Sequence, residues 1–147
     1  KVLLLGGGRE DGERNEKIAA LAAGAAIPTP TTLGLRTGIV LENLADIVVS
    51  GDSLGLHLAI GLRKHVVAWF GLSCAAEVDV YERGVKLLRD LPCAPCWKKT
   101  CDLPHGPICV TEFDLEAIVE SVVKLAAHTG ERKSVKHALP DSTGVLV

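Results

Sequence analysis

The sequence has no methionine, few aromatic residues and almost no excess of either charge. Its 147 residues include two Trp, one Tyr and two Phe, and 16 basic residues against 18 acidic ones give a net charge of −2. Without a basic excess, the chain lacks the electrostatic footprint of a nucleic-acid-binding protein and the polybasic patch of a membrane-surface protein. The absence of an initiating Met predicts that the sequence is a piece of a longer polypeptide.

Long hydrophobic runs are missing as well. The uncharged stretch over residues 18–35 only reaches the minimum length of a transmembrane span, and Pro28 and Pro30 interrupt it. No basic segment followed by an apolar core marks a secretory signal. Nevertheless, 48% of the residues are apolar and the mean hydropathy is +0.29, which a disordered chain would not show. We therefore expect one compact, soluble domain.

Short apolar runs alternate with helical segments along the chain. Runs over residues 2–5, 46–50 and 65–70 end at or beside glycine, and a shorter run covers residues 85–88. Continuous apolar runs of this kind favour strands buried on both faces of a parallel sheet. Helices are predicted between the runs, over residues 11–24, 35–44 and 54–62. The alternation predicts an α/β fold, a Rossmann-like parallel sheet flanked by helices and joined by right-handed crossovers.

The last predicted helix carries the clearest amphipathic pattern. It begins at a segment resembling a capping box, Thr111 to Asp114. Its predicted core stripe consists of Leu115, Ile118, Val119, Val122, Leu125 and Ala126. We expect residues 1–130 to form the folded domain and residues 131–147 to form a C-terminal tail that packs peripherally or frays.

The segment from Gly51 to His57 is the strongest candidate for a ligand site. In parallel sheets, ligands bind beyond the carboxyl ends of the strands, and here a strand leads into the segment and a helix leads out. The N–H groups at such a helix start attract anions, so Ser53 and His57, one turn apart, are placed to reach one phosphate group. Asp52 would accept hydrogen bonds from sugar hydroxyls. The alternative is that Asp52 or Ser53 only caps the helix and that His57 is a core residue, and the pattern leaves both interpretations open.

The glycines at positions 6–8 also follow a strand, but their spacing is not that of the dinucleotide-binding fingerprint. The acidic residues that open the next helix are typical of dipole compensation, although one of these carboxylates is close enough in sequence to reach a ribose. The sequence shows no Walker loop, no His-Glu-x-x-His motif and no convincing Ser-His-Asp arrangement.

Four of the five cysteines fall within one segment, at Cys93, Cys96, Cys101 and Cys109. Four thiolates can hold a tetrahedral zinc ion, but this spacing is not that of a common zinc ribbon. Disulfides would need an oxidising compartment, of which the sequence gives no sign, and the Cys-x-x-Cys pair lacks the context of a thioredoxin site. Reduced structural thiols are the simpler interpretation, and a structural zinc is the alternative.

Three segments together resemble glycosyltransferase family 9, the ADP-heptose:lipopolysaccharide heptosyltransferases and their relatives. Residues 45–53, 57–59 and 66–71 are similar to the family's strand, its Asp-Ser/Thr-Gly-x-x-His-x-Ala turn and its strand ending in Phe-Gly. Residues 3–7, 13–14 and the cysteine segment add weaker similarity. Two positions depart from the family pattern. The glycine after Asp-Ser is Leu54 here, with Gly55 one place later, and the proline after Phe-Gly is Leu72.

The resemblance implies a GT-B glycosyltransferase with two Rossmann-like domains, of which this chain is most of the C-terminal, donor-binding one. The domain's first strand and helix, and an N-terminal domain with the catalytic base, would then be missing, so that the fragment alone is expected to be inactive. The implied reaction is an inverting transfer of heptose from ADP-heptose to a lipopolysaccharide core acceptor, without a required metal. The implied donor-site residues are Asp52, Ser53, Gly55 and His57, with Leu33 and Leu35 beside the nucleobase and Asp11 or Glu13 at the ribose.

The resemblance also implies a cytoplasmic enzyme whose missing domain meets the lipid-linked acceptor at the inner membrane. Two other functions stay open. One is a nucleotide-sugar epimerase of the same architecture, for which Asp52 is the only well-placed carboxylate. The other is a non-enzymatic nucleotide-binding module stabilised by its cysteines or by zinc, in which His57 has no role.

Overall fold

The computed structural model of the chain describes residues 1–136, in which five strands alternate with helices. The strands are β1 (Val2–Leu4), β2 (Ala26–Pro28), β3 (Ile47–Gly51), β4 (His65–Phe70) and β5 (Gly84–Leu88). The helices are α1 (Arg9–Leu21), α2 (Leu35–Glu42), α3 (Leu54–Gly61), α4 (Ile108–Thr111) and α5 (Leu115–Lys136), and a 3₁₀ turn covers Ala75–Glu77. The predicted α/β class is therefore confirmed.

The strands form two hydrogen-bonded ladders. β1 pairs with β2, and β4 lies between β3 and β5 in the second ladder. Every pair is parallel, with Val2 opposite Ala26, Ile47 opposite His65 and Val66 opposite Gly84. A single continuous sheet was expected, but β1 and β3 are not hydrogen-bonded to each other in the described part of the chain.

β4 lies at the centre of the core. Val66, Val67 and Ala68 are fully buried, and α3 packs against the strand with Leu56 and Ala59, which are buried as completely. A strand with neighbours on both edges and helices against its faces needs apolar side chains in both directions, which is why its sequence is a continuous apolar run.

The last helix buries only part of the predicted stripe. Ile118, Val122 and Leu125 are half-buried as predicted, whereas Ala126 is exposed and Leu115 and Val119 are 66% and 61% exposed. The other half-buried side chains are Ala117, Ser121 and Thr129. The sequence offers two overlapping apolar stripes, and packing against the sheet determines which of them is covered.

The start of α5 also differs from the prediction. Asp114 accepts a hydrogen bond from the Ala117 N–H at 2.8 Å, so Asp114 itself is the capping residue, while Thr111 belongs to α4. At its other end the helix continues to Lys136, beyond the predicted boundary at residue 130. Residues 137–147, the rest of the predicted tail, lie outside the described residues. No helix in the described part is long and apolar enough to cross a membrane.

Two adjacent glycines in the turn between β1 and α1 provide a matched test of packing. A Cβ at Gly6 would lie 2.6 Å from the Cβ of Asp11, whereas a Cβ at Gly7 would meet nothing within 4 Å. We expect Gly6→Ala to lower the free energy of unfolding by about 1–3 kcal/mol, because the turn must shift to admit the methyl group. Gly7→Ala should change it by less than about 0.5 kcal/mol. Urea unfolding followed by circular dichroism compares the two variants, and equal stability would contradict this account.

Candidate functional site

The candidate site lies in the turn between β3 and α3. β3 ends at Gly51, where a Cβ would lie 3.0 Å from Nε1 of Trp69, so this glycine keeps the end of β3 close to β4. Asp52 and Ser53 form the turn, and α3 begins at Leu54. The helix therefore starts at the carboxyl edge of the sheet, where parallel folds bind their ligands.

The first turn of α3 has no side-chain cap. Ser53 occupies the N-cap position with φ −152° and ψ 171°, but its side chain makes no capping hydrogen bond. Its Oγ lies 2.9 Å from the Oγ of Ser50, and that hydroxyl donates to the carbonyl of Gly51 at 2.9 Å. The interpretation in which Ser53 only caps the helix is therefore wrong, and the first N–H groups of α3 are left for solvent or a ligand.

His57 is paired with Asp52 at the surface of the site. Its Nε2 lies 3.5 Å from Oδ1 of Asp52, and the two side chains are 57% and 28% exposed. The interpretation of His57 as a core histidine is therefore wrong as well. When protonated, the imidazole forms an ion pair with Asp52 and adds positive charge beside the uncapped helix start.

Asp11 closes the glycine-rich turn that follows β1. Its Oδ2 accepts the N–H of Gly7 at 2.8 Å, and its Oδ1 accepts from Arg14 at 2.6 Å. The bond from Gly7, followed by the one from Arg14, holds the pKa of Asp11 below its ordinary value. Glu13 lies on the exposed side of α1 and forms an ion pair with Arg9 at 3.6 Å.

A cavity of about 1270 Å³ between β1 and β3 brings some of the predicted residues together. Asp11, Leu35, Ser53 and Gly55 are among its lining residues. Leu33 is 63% exposed beside Gly34, whose φ of +83° turns the chain into α2. The remaining predicted residues, Glu13, Leu33, Asp52 and His57, do not line the cavity. Of these, Asp52 and His57 lie together on the open side of the α3 turn, whereas Glu13 lies on α1 and Leu33 precedes α2.

The same cavity contains Glu42, which the sequence analysis did not single out. Its side chain is 3% exposed, and its Oε1 has no hydrogen-bond partner among the described residues. That oxygen lies 3.9 Å from the position of a Cβ at Gly55, so it borders the first turn of α3. Burial raises the pKa of this carboxyl. Its position in the sequence, a single acidic residue within the apolar segment 39–44, was the signal that could have indicated it.

The cysteine segment lies elsewhere, beyond the end of β4. The N–H groups of Cys96 and Trp97 donate to the carbonyl of Leu72 at 3.1 and 2.9 Å, and the carbonyl of Cys109 lies 2.5 Å from where a Cβ at Gly71 would stand. Among residues 1–136, no group of three or more His, Cys, Asp or Glu side chains is arranged to hold a metal ion. Zinc binding by Cys93, Cys96, Cys101 and Cys109 stays a prediction.

Comparison with known proteins gives one match. The model of glycosyltransferase family 9 (heptosyltransferase) matches residues 1–106, which include the Asp11 turn, the α3 turn and most of the cysteine segment. No curated protein and no solved structure matches the chain significantly.

Glu42 predicts an unusual dependence of stability on pH. Since its pKa is raised in the folded state, that state binds the proton more tightly than the unfolded chain does, so the carboxyl opposes folding as the pH rises through its folded-state pKa. We expect Glu42→Gln to stabilise the 147-residue chain at about pH 7 by on the order of 1 kcal/mol, and the gain to vanish near pH 4. Urea unfolding of both proteins at about pH 7 and about pH 4 measures this difference in the free energy of unfolding. Glu16→Gln, at an exposed position of α1, is the control. A loss of stability in Glu42→Gln at neutral pH would reveal a partner for the carboxylate.

The cysteines should differ in their reactivity. Cys93 and Cys96 are exposed, whereas Cys109 is half-buried, and burial raises the pKa of its thiol, with the neighbouring cysteines adding to the shift. Because the thiolate is the reactive form, iodoacetamide at about pH 8 should modify Cys93 and Cys96 well before Cys109. Mass spectrometry of time points measures the order. If all four cysteines are instead protected from alkylation, and a chelator removes this protection, the zinc site is established.

Proposed function

The chain belongs to glycosyltransferase family 9, and from this membership we propose that it forms the donor-binding half of an inverting glycosyltransferase that uses a nucleotide diphosphate sugar. The observation that carries the proposal is the uncapped start of α3 at the end of β3, with the Asp52–His57 pair beside it. The family membership covers the glycosyltransferase activity, and the donor, the acceptor and the stereochemistry are our proposal.

In this proposal the diphosphate lies against the first turn of α3. The N–H groups of residues 54–56 have no acceptors within the helix, and they lie at the positive end of the helix dipole. His57 faces Asp52 through Nε2, which leaves Nδ1 for a phosphate oxygen. Ser53 adds a hydroxyl on the cavity side of the same turn. An anion placed here meets hydrogen-bond donors from the backbone and from two side chains.

The proposed transfer is a direct displacement. A base in the N-terminal domain removes the proton of the acceptor hydroxyl, and the oxygen attacks the anomeric carbon on the face opposite the diphosphate. The bond from that carbon to the diphosphate oxygen breaks, and the configuration inverts. The negative charge that develops on the leaving diphosphate is stabilised by the α3 N–H groups, Ser53 and His57. The scheme requires no metal, and a zinc ion held by the cysteines would serve only structure.

The finer assignments follow the best-known members of the family. We propose ADP-heptose as the donor and a lipopolysaccharide core as the acceptor, on the cytoplasmic face of the inner membrane, with membrane contact through the N-terminal domain. Leu33 and Leu35 would flank the nucleobase. Of the two candidates for the ribose, Asp11 is better placed than Glu13, because it lines the cavity and is held in position by Gly7 and Arg14.

Nucleotide binding tests the proposal directly. Thermal unfolding of the full-length protein would be compared with ADP, UDP, GDP and NAD, each near a hundred times its Kd, where a ligand specific for the native state adds about 2.7 kcal/mol. Stabilisation by ADP alone is expected. Stabilisation by UDP or GDP alone would be consistent with a transferase but would exclude ADP-heptose as the donor. An unfolding temperature that none of the four nucleotides changes would contradict the proposal.

His57→Ala tests the role of the histidine. Loss of a charge-assisted hydrogen bond to phosphate should weaken ADP binding by roughly tenfold or more without changing the thermal stability of the free protein. His105→Ala is the matched control, because His105 is an exposed histidine in the cysteine segment that does not belong to the α3 turn. Unchanged ADP affinity in His57→Ala would favour the non-enzymatic module. In an activity assay of the full-length protein, an epimerised nucleotide sugar without sugar transfer would favour the epimerase.

A further inference from the structure

The carboxyl group of Glu42 lies in the cavity without a hydrogen-bond partner. The residue is 3% exposed, and its Oε1 has no partner among residues 1–136. Buried polar atoms are nearly always hydrogen-bonded, so this atom marks a place where an N–H or O–H group is expected. Glu42 lines the same cavity as Asp11, Leu35 and Ser53, the residues that the proposed function assigns to the nucleotide sugar. The expected group can therefore belong to that substrate.

Two hydroxyl groups lie near the same carboxyl oxygen, but neither supplies its hydrogen bond. A Cβ at Gly55 would lie 3.6, 3.8 and 3.9 Å from three oxygen atoms, those of Ser53, Ser50 and Glu42. Ser50 donates its proton to the carbonyl of Gly51, so the 2.9 Å bond between the two serines uses the proton of Ser53. In the proposed complex that proton is directed to the diphosphate instead. In both states no proton is left for Glu42.

The three oxygen atoms border an open space beside Gly55. The fold does not require a glycine here, because a Cβ would make only ordinary van der Waals contacts and the backbone of Gly55 is not in the left-handed region. Glycine inside a helix is also less stable than alanine. Since Gly55 lines the cavity, the space is open to it. The glycine thus leaves room for a ligand group next to Glu42.

The chemistry of this space selects the ligand group. An ionised carboxyl accepts hydrogen bonds and donates none, and the protons of the two serines are already used. A phosphate oxygen in the space would meet acceptors and a like charge, which is unfavourable. A hydroxyl group donates to Oε1 without adding charge. Its hydrogen bond would also oppose the rise in the pKa of Glu42 that burial causes.

We propose that Glu42 is a substrate-binding residue that accepts a hydrogen bond from a hydroxyl group of the nucleotide sugar, with that hydroxyl in the space beside Gly55. The inference rests on the proposed function, because it requires a nucleotide whose diphosphate lies at the start of α3. The contact determines specificity, since a ligand without the hydroxyl leaves the buried carboxyl unpaired. The hydroxyl belongs either to the ribose or to the transferred sugar.

Binding of three ligands to the full-length protein tests the contact. Isothermal titration calorimetry would compare pyrophosphate, ADP and ADP-heptose, which carry the same diphosphate with no sugar, with the ribose, and with both sugars. Glu42→Leu removes the acceptor, and Gly55→Ala fills the space without a steric clash. Both variants should bind ADP-heptose roughly tenfold or more weakly than the wild type. Their affinity for pyrophosphate should be unchanged, or higher in Glu42→Leu, because that variant loses a negative charge.

Each variant has a matched control. Gly61 lies in the same helix as Gly55 but outside the cavity, and a Cβ there would meet nothing within 4 Å, so Gly61→Ala should leave all three affinities unchanged. Glu16→Leu, at an exposed position of α1, is the control for Glu42→Leu. His57→Ala should weaken the binding of all three ligands, because His57 is proposed to contact the diphosphate. Urea midpoints of Glu42→Leu and Gly55→Ala at or above that of the wild type would show that lost binding is not lost stability.

The outcomes separate the two sources of the hydroxyl. A loss of affinity for both ADP and ADP-heptose would assign it to the ribose, and a loss for ADP-heptose alone would assign it to the transferred sugar. Unchanged or tighter binding of ADP-heptose in either variant, or an equal loss for pyrophosphate, would overturn the inference and leave the proposed function intact. A wild-type protein that binds neither ADP nor ADP-heptose would contradict both.

Discussion

The hydrogen bonding of β4 on both of its edges is the constraint on which the rest of the described structure depends. In residues 1–136 it is the one strand with two neighbours, and its side chains are the most completely buried. The close register with β5 requires Gly84, because the carbonyl of Val66 occupies the space where a Cβ would lie. On the other side, Trp69 lies against Gly51 and also contacts Phe113, with ring centroids 5.4 Å apart. β4 thereby positions both the end of β3 and the start of α5.

The position of the candidate site follows from that arrangement. Since β3 is held in register with β4, the turn after Gly51 and the start of α3 have a fixed place at the sheet edge. Two titratable side chains near this turn lie in opposite environments. His57 is exposed and paired with a carboxylate, whereas Glu42 is buried without a partner among the described residues. His57 is therefore suited to contact an anionic ligand, and Glu42 is suited to accept a hydrogen bond from a neighbouring donor.

Much of the fold could be predicted from the sequence, because strands buried on both faces have a local signature. The run over residues 65–70 is observed as β4 without a change of boundary, and the runs before and after it differ by a residue or so at their ends. The covered face of α5 could be predicted only in part, since Val119 and Val122 both fit an apolar stripe but only Val122 is half-buried. The separation of the strands into two ladders could not be predicted either, because it depends on contacts between segments that are distant in the sequence. At the site, helical spacing predicted only that Ser53 and His57 lie one turn apart. The pairing of His57 with Asp52, the bond between Ser50 and Ser53 and the burial of Glu42 depend on side-chain packing.

The cysteine segment contacts two consecutive residues of the turn that follows β4, Gly71 and Leu72. Cys96 and Trp97 hydrogen-bond to Leu72, and Cys109 packs on Gly71, so the stretch between them leaves and returns at nearly the same point. A loop closed in this way can change in length at small entropic cost, since closure entropy grows only logarithmically with the number of residues. We therefore expect a change in the length of this stretch to have little effect on β4 or the α3 turn. The same stretch is a suitable point for introducing a label or a small domain into the protein.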